Sequence, residues 1–322
     1  MKAVLCETLD GPRAVRLADV APPQRSGGEV LVSVDAVGLN FMDTLITRGR
    51  YQMKPALPFA IGAELSGRIA DANGHAGLKA GDRVMAFVGI GAAANVVAVP
   101  AERIVLLPDA MTFEMAAGLS VTYGAALYAL RRRVVLGGED TIAILGASSG
   151  SGLAAIDVAK ALGARVIAAA SSDEKCAACM EAGAAAAVLS DADTLKDALR
   201  AEAGGAGPTV IYDCIGGDAT DAALRALQIG GRYVVFGFAA GIPNIRANIA
   251  LLKDCTIHGI NWPDAVACAP DRHSQDMRLL LAWIDDGLIR PAEPTIRPIV
   301  GAAAALEDLE ARRVIGKVVL KF

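Results

Sequence analysis

The sequence predicts an α/β protein, a doubly wound parallel sheet joined to a second, mainly β unit. Three observations carry that expectation. The chain has 322 residues, more than one ordinary core holds. Its first third is rich in Gly, Pro and short β-branched runs such as "EVLVSVDAVGL", "LSGRIADANG", "GDRVMAFVGI" and "NVVAVPAERIVLLP". After Gly137-Gly138, strand-like and helix-like segments alternate at short intervals, which is the βαβ pattern.

Taken in order, the N-terminal runs read as strands separated by turns. Near Thr112 the spacing changes: "TFEMAAGLSVTYGAALYALRRR" is helical, with Thr112 at its start. "TIAILGA" then reads as a strand, "GSGLAAIDVAKALGA" as a helix, "RVIAAAS" as a strand and "DEKCAACMEAGA" as a helix. The alternation continues through "AAVLS", "TLKDALRAEA", "TVIYDCIG", "DATDAALRALQIG", "GRYVVFGF" and "CTIHGIN". Right-handed crossovers turn such a series into a doubly wound sheet. The tail reads as a helix in "DMRLLLAWIDDGLI", a second in "AAAALEDLEARR" and a last strand in "GKVVLKF".

Composition narrows the function classes. Net charge is −4 and charged residues are 20%, which gives nucleic acid no basic footprint. Hydrophobic residues are 54%, too many for a disordered chain. Aromatics are 4% against 64 alanines, so small side chains fill the core, as suits helices packed closely on a parallel sheet. Mean hydropathy of +0.43 raises the question of a membrane span. The best stretch, Val84 to Ala101, carries Gly89, Gly91, Asn95 and Pro100 and reads as two buried strands joined by a Gly-rich turn. No export signal opens the chain, and the six Cys show no paired framework, so a reducing cytoplasm is expected. Cys176 and Cys179 fall within a helix-like stretch, where small residues on one face explain them.

The first strand–turn–helix of the alternating part is "ILGASSGSGL". Ala147, Ser149 and Gly152 occupy the three small positions of a dinucleotide-binding turn, with Gly150 and Ser151 between them. Small residues let backbone N–H groups approach a pyrophosphate, and the helix start adds a positive dipole end. The strand that follows ends at Ala170, where an NAD site usually carries an acid for the ribose 2′-OH. Ser171 offers a hydrogen bond and Lys175 a positive charge there, so NADPH is the expected cofactor. The competing reading has Ser171 capping a helix and Lys175 as a solvated charge. Three His, at 75, 258 and 273, pair with no Cys or acid at ligand spacing, so no metal site is expected. His75 reads as part of a Gly-rich loop, His258 of a strand and His273 of a polar linker. No G-x-S-x-G or phosphate-loop motif occurs.

Several stretches, in order, make the chain recognisable: "VGLNFMDTLITRGRY", "LPFAIGAELSGRI", "GDRVMAF", "SVTYGAALYAL", "GASSGSGLAAIDVAKALGARVIAAASS", "YDCIGGD", "GGRYVVFGFA" and "GKVVL". It resembles the zinc-independent quinone oxidoreductase branch of the medium-chain dehydrogenase/reductase family over nearly its whole length. The resemblance implies a Rossmann nucleotide-binding domain over 121–262 and a GroES-like catalytic domain formed by 1–120 and 263–322. Ala63 stands where the zinc relatives keep a His. The resemblance places Asn40 beside the nicotinamide and the substrate carbonyl, with Tyr51 lining the same cleft. It places Thr122, Cys214, Phe238, Asn261 and Trp262 toward the cofactor and Lys317 near the pyrophosphate. Ser190 takes the place of a Tyr that covers the 2′-phosphate in many members. Considered singly, Asn40 reads equally as a turn residue, Tyr51 as a packed aromatic and Lys317 as a strand-edge charge.

These residues imply hydride transfer from NADPH to a quinone or an activated α,β-unsaturated carbonyl, without metal. Asn40 and Tyr51 would donate to the oxygen that gains charge. Two alternatives stand beside it. One is an enoyl-thioester reductase, for which Arg48, Arg50 and Lys54 would hold phosphates; the other is a nucleotide-binding protein without activity. The resemblance also implies a homodimer in which edge strands of the two nucleotide-binding sheets pair, with "GGRYVVFGF" and "DCTIHGIN" as those edges, since a long apolar edge is usually covered or paired.

Overall fold

The computed structural model describes all 322 residues. They form two compact units. One is Met1–Gly124 with Ala265–Ala282 and Glu293–Phe322; the other is Ala125–Asp264 with Trp283–Ala292. The expected division puts all of 263–322 in the first unit, whereas Trp283–Ala292 belongs to the second. In that stretch the amides of Leu288 and Ile289 fold back on the Trp283 carbonyl, and Ile289 is buried.

The chain begins with β1 (Lys2–Cys6), β2 (Val15–Asp19), β3 (Glu29–Leu39), α1 (Phe41–Thr47), β4 (Phe59–Ala60) and β5 (Glu64–Asp71). It continues with β6 (Arg83–Phe87), β7 (Val96–Pro100), β8 (Ile104–Leu106), α2 (Phe113–Ala116) and α3 (Ser120–Leu127). Next come β9 (Thr141–Leu145), α4 (Gly150–Ala161), β10 (Arg165–Ala170), α5 (Asp173–Glu181), β11 (Ala186–Leu189) and α6 (Leu195–Glu202). Then follow β12 (Val210–Asp213), α7 (Ala219–Ala226), β13 (Arg232–Val235), α8 (Ala247–Lys253) and β14 (Thr256–Gly259). The tail holds α9 (Trp262–Cys268), α10 (Pro270–Asp285), β15 (Thr295–Pro298), α11 (Ala302–Glu310) and β16 (Val318–Lys321).

In the first unit, β3 is the organising strand. Its first half pairs with β7, its second half with β16, and β5 runs along its other edge, all antiparallel. Two register irregularities, at Leu31/Val32 and Val34/Ala36, bend β3 between these partners. The resulting register sets Val318 opposite Leu39 and Gly38 opposite Glu64, which brings the ends of three strands together. The core beneath is Val, Ile, Leu and Ala, including Val30, Val32, Val37, Leu65, Ile69 and Val84.

The second unit holds a parallel six-stranded sheet in the order β11-β10-β9-β12-β13-β14. That is the doubly wound order 3-2-1-4-5-6, with its switch between β9 and β12. Both faces of β9 are covered, so Ile142, Ala143, Ile144 and Leu145 are wholly buried, as the continuous apolar run predicts. Buried Ala154, Ala155 and Ala159 on α4 let that helix lie close to the sheet.

The structure changes several expectations. β13 is an interior strand between β12 and β14, so "GGRYVVFGF" is not an edge, whereas β14 is. The long helical stretch after Thr112 is broken into α2, α3 and a π-helical turn over Tyr128–Arg133, with Thr112 capping α2. His273 is buried within α10 rather than lying in a linker. The polar run "DRHSQD" hides a helix face that continues through Met277, Leu280 and Leu281. Val84–Ala101 holds β6 and β7, and no helix is long and apolar enough to cross a membrane.

Candidate functional site

The turn after β9 is built from close backbone approaches. Gly146 has φ +70°, and a Cβ there would lie 2.6 Å from the Ile215 side chain. The Ser149 hydroxyl donates to the Gly146 carbonyl at 2.8 Å and accepts from the Gly152 amide at 3.1 Å, capping α4. A Cβ on Gly152 would collide with the carbonyl oxygens of both Gly146 and Ala147, so only glycine fits. Ala147, Ser149, Gly150, Ser151 and Gly152 thus form one compact turn at the start of a 12-residue helix, the arrangement that receives a phosphate.

Asp213, at the end of β12, shapes the other side of this turn. Its buried carboxylate accepts from the amides of Ile215 and Gly216, each at 2.9 Å, from the Thr220 hydroxyl at 2.7 Å and from the Tyr233 hydroxyl at 2.6 Å. Burial and then the charge of Asp213 push the Tyr233 phenol well above its usual range, so it stays a donor. The four bonds hold Ile215 against Gly146. Asp213 is not among the residues expected from sequence, although a lone acid ending an apolar strand signals a satisfied carboxylate. The neighbouring Cys214 thiol is held neutral by burial and offers no thiolate.

Ser171 and Lys175 meet beyond β10, with the ammonium 3.2 Å from the hydroxyl. The residue that caps α5 is Ser172, not Ser171. The Ser190 amide donates to the Ala170 carbonyl at 2.8 Å, which places Ser190 beside the same strand end. Phe238 is exposed, and its carbonyl accepts from the Gly241 amide at 2.9 Å. Asn261 is spent locally, donating to Asp264 at 2.6 Å, while Trp262 is buried at the start of α9. Cys179 is buried with its thiol pushed up to about 12, and the Cys176 thiol is also raised, so the C-x-x-C lacks the thiolate a redox pair needs.

In the first unit, strand register gathers a polar network. Lys317 precedes β16, Asn40 follows β3 and Glu64 opens β5. The Lys317 ammonium donates to Asn40 Oδ1 and to Glu64 Oε1, both at 2.6 Å. Asn40 Nδ2 donates to Glu64 Oε1 at 3.0 Å, and the Val121 amide donates to Glu64 Oε2 at 2.8 Å. Gly38 leaves room for the Glu64 side chain, since a Cβ there would lie 2.7 Å from Glu64 Oε1 and would collide with the Ala117 oxygen. Asp43 accepts from the Asn40 amide at 2.7 Å in a capping box that starts α1. Burial raises the Asp43 carboxyl to about 6, against the lowering effect of that bond and of Lys317.

Lys317 is therefore no strand-edge surface charge. Glu64 and Asp43 are the two members of the network that the sequence does not single out. The signal for Glu64 is present all the same: one acid in the otherwise apolar run "FAIGAELSG" demands a partner. Thr122 is buried and donates to the Gly118 carbonyl in the turn before α3, 2.7 Å away, so its hydroxyl offers an incoming group only an acceptor. Tyr51 is half-buried and packs against the core of this unit. Arg48 is tied to both oxygens of the Glu310 carboxylate.

Comparison with known proteins agrees with both units. The family described as "Zinc-binding dehydrogenase" matches residues 150–285, and "Alcohol dehydrogenase GroES-like domain" matches residues 26–109. Quinone oxidoreductase-like protein 2 of Rattus norvegicus is 35% identical over 99% of this chain and 91% of its own length. Among solved structures, a mycobacterial protein complexed with NADPH is 30% identical with a TM-score of 0.93, over 100% of both chains. The Escherichia coli quinone oxidoreductase complexed with NADPH is 28% identical with a TM-score of 0.91, again over 100% of both.

The chain belongs to the medium-chain dehydrogenase/reductase family.

Its quinone oxidoreductase relatives and the GroES-like match give the mainly β unit its class, and the parallel sheet of the second unit is the family's Rossmann sheet. The zinc in the family description finds no partners among these residues. Ala63 carries no ligand, and no group of three His, Cys, Asp or Glu is placed to hold a metal ion. The carboxylate nearest the expected position, Glu64, already holds an ammonium, which a divalent cation would repel.

Proposed function

We propose that this protein is an NADPH-dependent oxidoreductase that transfers hydride to a quinone or an activated α,β-unsaturated carbonyl, with no metal in the reaction. The observation that carries the reaction class is the Lys317–Asn40–Glu64 network, a set of N–H donors beside Ala63, which the resemblance puts where zinc relatives keep a His. Relatives that bind NADPH support the cofactor, as does the turn after β9, whose Gly152 leaves no space for a side chain.

In this reading, Ala147, Ser149, Gly150, Ser151 and Gly152 hold the pyrophosphate. Ser171 and Lys175, with Ser190 beside them, hold the 2′-phosphate by charge-assisted hydrogen bonds. Bound NADPH supplies a hydride from its nicotinamide ring. Negative charge develops on the acceptor oxygen, and Asn40 donates to it; Lys317, which the resemblance puts near the pyrophosphate, is assigned here as the second donor in place of Tyr51 because its ammonium bonds Asn40 Oδ1. A quinone then takes its proton from water, so the protein needs no strong general acid. Tyr51 lines the acceptor site. The edge strand β14 fits pairing with a second copy, and the free cysteines fit a reducing cytoplasm.

The enoyl-thioester alternative loses its main support, because Arg48 is neutralised by Glu310 and leaves Arg50 and Lys54 alone. The test is a steady-state assay with quinones and enones against NADPH and NADH. The expected result is oxidation of NADPH at least tenfold more efficient than that of NADH, with Lys175→Ala removing most of the difference, roughly the worth of one charge-assisted contact. Equal use of both cofactors would refute the 2′-phosphate assignment. Nucleotide binding with no turnover would favour a non-catalytic protein.

A further inference from the structure

Glu64 accepts from the Lys317 ammonium, the Asn40 side-chain amide and the Val121 backbone amide, and no step of the reaction yet uses it. It is wholly buried, whereas Asn40 keeps 9% exposure and the Lys317 side chain 10%. Asn40 and Lys317 thus keep some contact with solvent, and Glu64 keeps none.

An amide side chain presents a donor and an acceptor of nearly equal shape, and only its partners decide which way it faces. Here the partners leave one solution. A carboxylate beside an ammonium accepts, and an ammonium only donates. Nδ2 of Asn40 must face Glu64, and Oδ1 must face Lys317, as the distances of 3.0 and 2.6 Å show. One Nδ2 hydrogen is then used and one remains. Lys317 uses two of its three hydrogens, on Asn40 and Glu64, and keeps one. Glu64 is itself anchored by the Val121 amide on its second oxygen, so it cannot swing with the groups it holds. The Asp43 carboxyl fixes the Asn40 backbone from the other side.

We propose that Glu64 is a positioning residue for the reaction: it locks the Asn40 amide and the Lys317 ammonium so that each turns one remaining N–H toward the acceptor oxygen. This rests on the hydride-transfer reading, and it makes Glu64 act through Asn40 rather than on substrate. If Glu64 were absent, the amide could rotate and offer its carbonyl to an oxygen that is gaining negative charge, which is repulsive.

The test is a kinetic cycle on the full-length protein with 1,4-benzoquinone. Glu64→Gln should lower kcat at least tenfold while the Kd for NADPH stays within threefold. In an Asn40→Ala/Lys317→Met background the same change should move kcat less than twofold, because neither of the groups that Glu64 holds is left to orient. Independent losses that multiply, or a Glu64→Gln variant with unchanged kcat, would overturn the proposal. A second measurement needs neither turnover nor the variant. In the ¹⁵N-labelled protein the two Asn40 side-chain hydrogens, assigned by their loss in Asn40→Asp, should exchange with solvent at rates differing at least tenfold. Equal rates in the wild-type protein would also overturn it. Absence of quinone or enone turnover would instead refute the reaction class, and the exchange rates would still decide what Glu64 does.

Discussion

The turn after β9 and the network around Glu64 are built from opposite materials. The first is backbone with almost no side chain: Gly146 at φ +70° and Gly152 wedged against two carbonyls. The second is side chain with almost no solvent: one ammonium, one amide and two carboxyls under the surface of a β unit. The turn is local, completed within a dozen residues, and its chemistry is that of any helix start. The network is remote, joining residues 24 and 253 positions apart through strand register. A backbone site tolerates many sequences provided they stay small. A buried charged site holds only while every partner is present, so each of its members is exposed to loss.

Breaking the ion pair should cost the most. Lys317→Met leaves Glu64 buried and unpaired, which should cost about 3–5 kcal/mol in urea unfolding. The double change Lys317→Met/Glu64→Gln should recover more than half of it, since the cost comes from the stranded charge. If the single and double variants are equally unstable, the network is packing rather than an ion pair. Next is pH. Asp43 sits at about 6 in the fold against an ordinary 3.8, so folding favours its protonated form. Its contribution is fully present below pH 3.8 and is lost as pH rises through 6, up to about 3 kcal/mol in all. The stability difference between wild type and Asp43→Asn should therefore shift in favour of the variant between about pH 4 and about pH 7.5. A difference that is flat with pH would contradict this. The turn should yield the smaller stability effect and a purer binding effect. Gly152→Val forces a side chain against two carbonyls, costing about 1–3 kcal/mol, and NADPH affinity should fall at least tenfold. Unchanged affinity would remove the turn from the cofactor site.

The same contrast explains what is legible in the sequence. The turn is legible because strand, small residues and helix are contiguous, and the alternation around it implies a parallel, doubly wound sheet. Half of the network is legible only through resemblance: Asn40 and Lys317 stand out, but with Lys317 assigned to a pyrophosphate. Its pairing with Glu64 depends on Val318 facing Leu39 and Gly38 facing Glu64, a register that β3 sets with two irregularities. No local pattern encodes that. His273 escapes for a related reason, since polar neighbours mask the helix face that buries it. Burial holds the His273 imidazole at about 4, well below its ordinary value, so the neutral ring belongs to the fold. The expectation of an edge at β13 rests on the dimer that the resemblance implies, and the strand's length and apolarity could not correct it, because they describe interior strands as well as edges.

If side chains do here what a metal does in the zinc relatives, removing metal should change nothing. The direct measurement is turnover of NADPH and 1,4-benzoquinone by protein stripped with a chelator, its metal content measured by mass spectrometry. The expected result is the same kcat before and after stripping and no gain when zinc is added. Activity that disappears with the metal and returns with zinc would contradict the assignment of the metal's role to Lys317, Asn40 and Glu64.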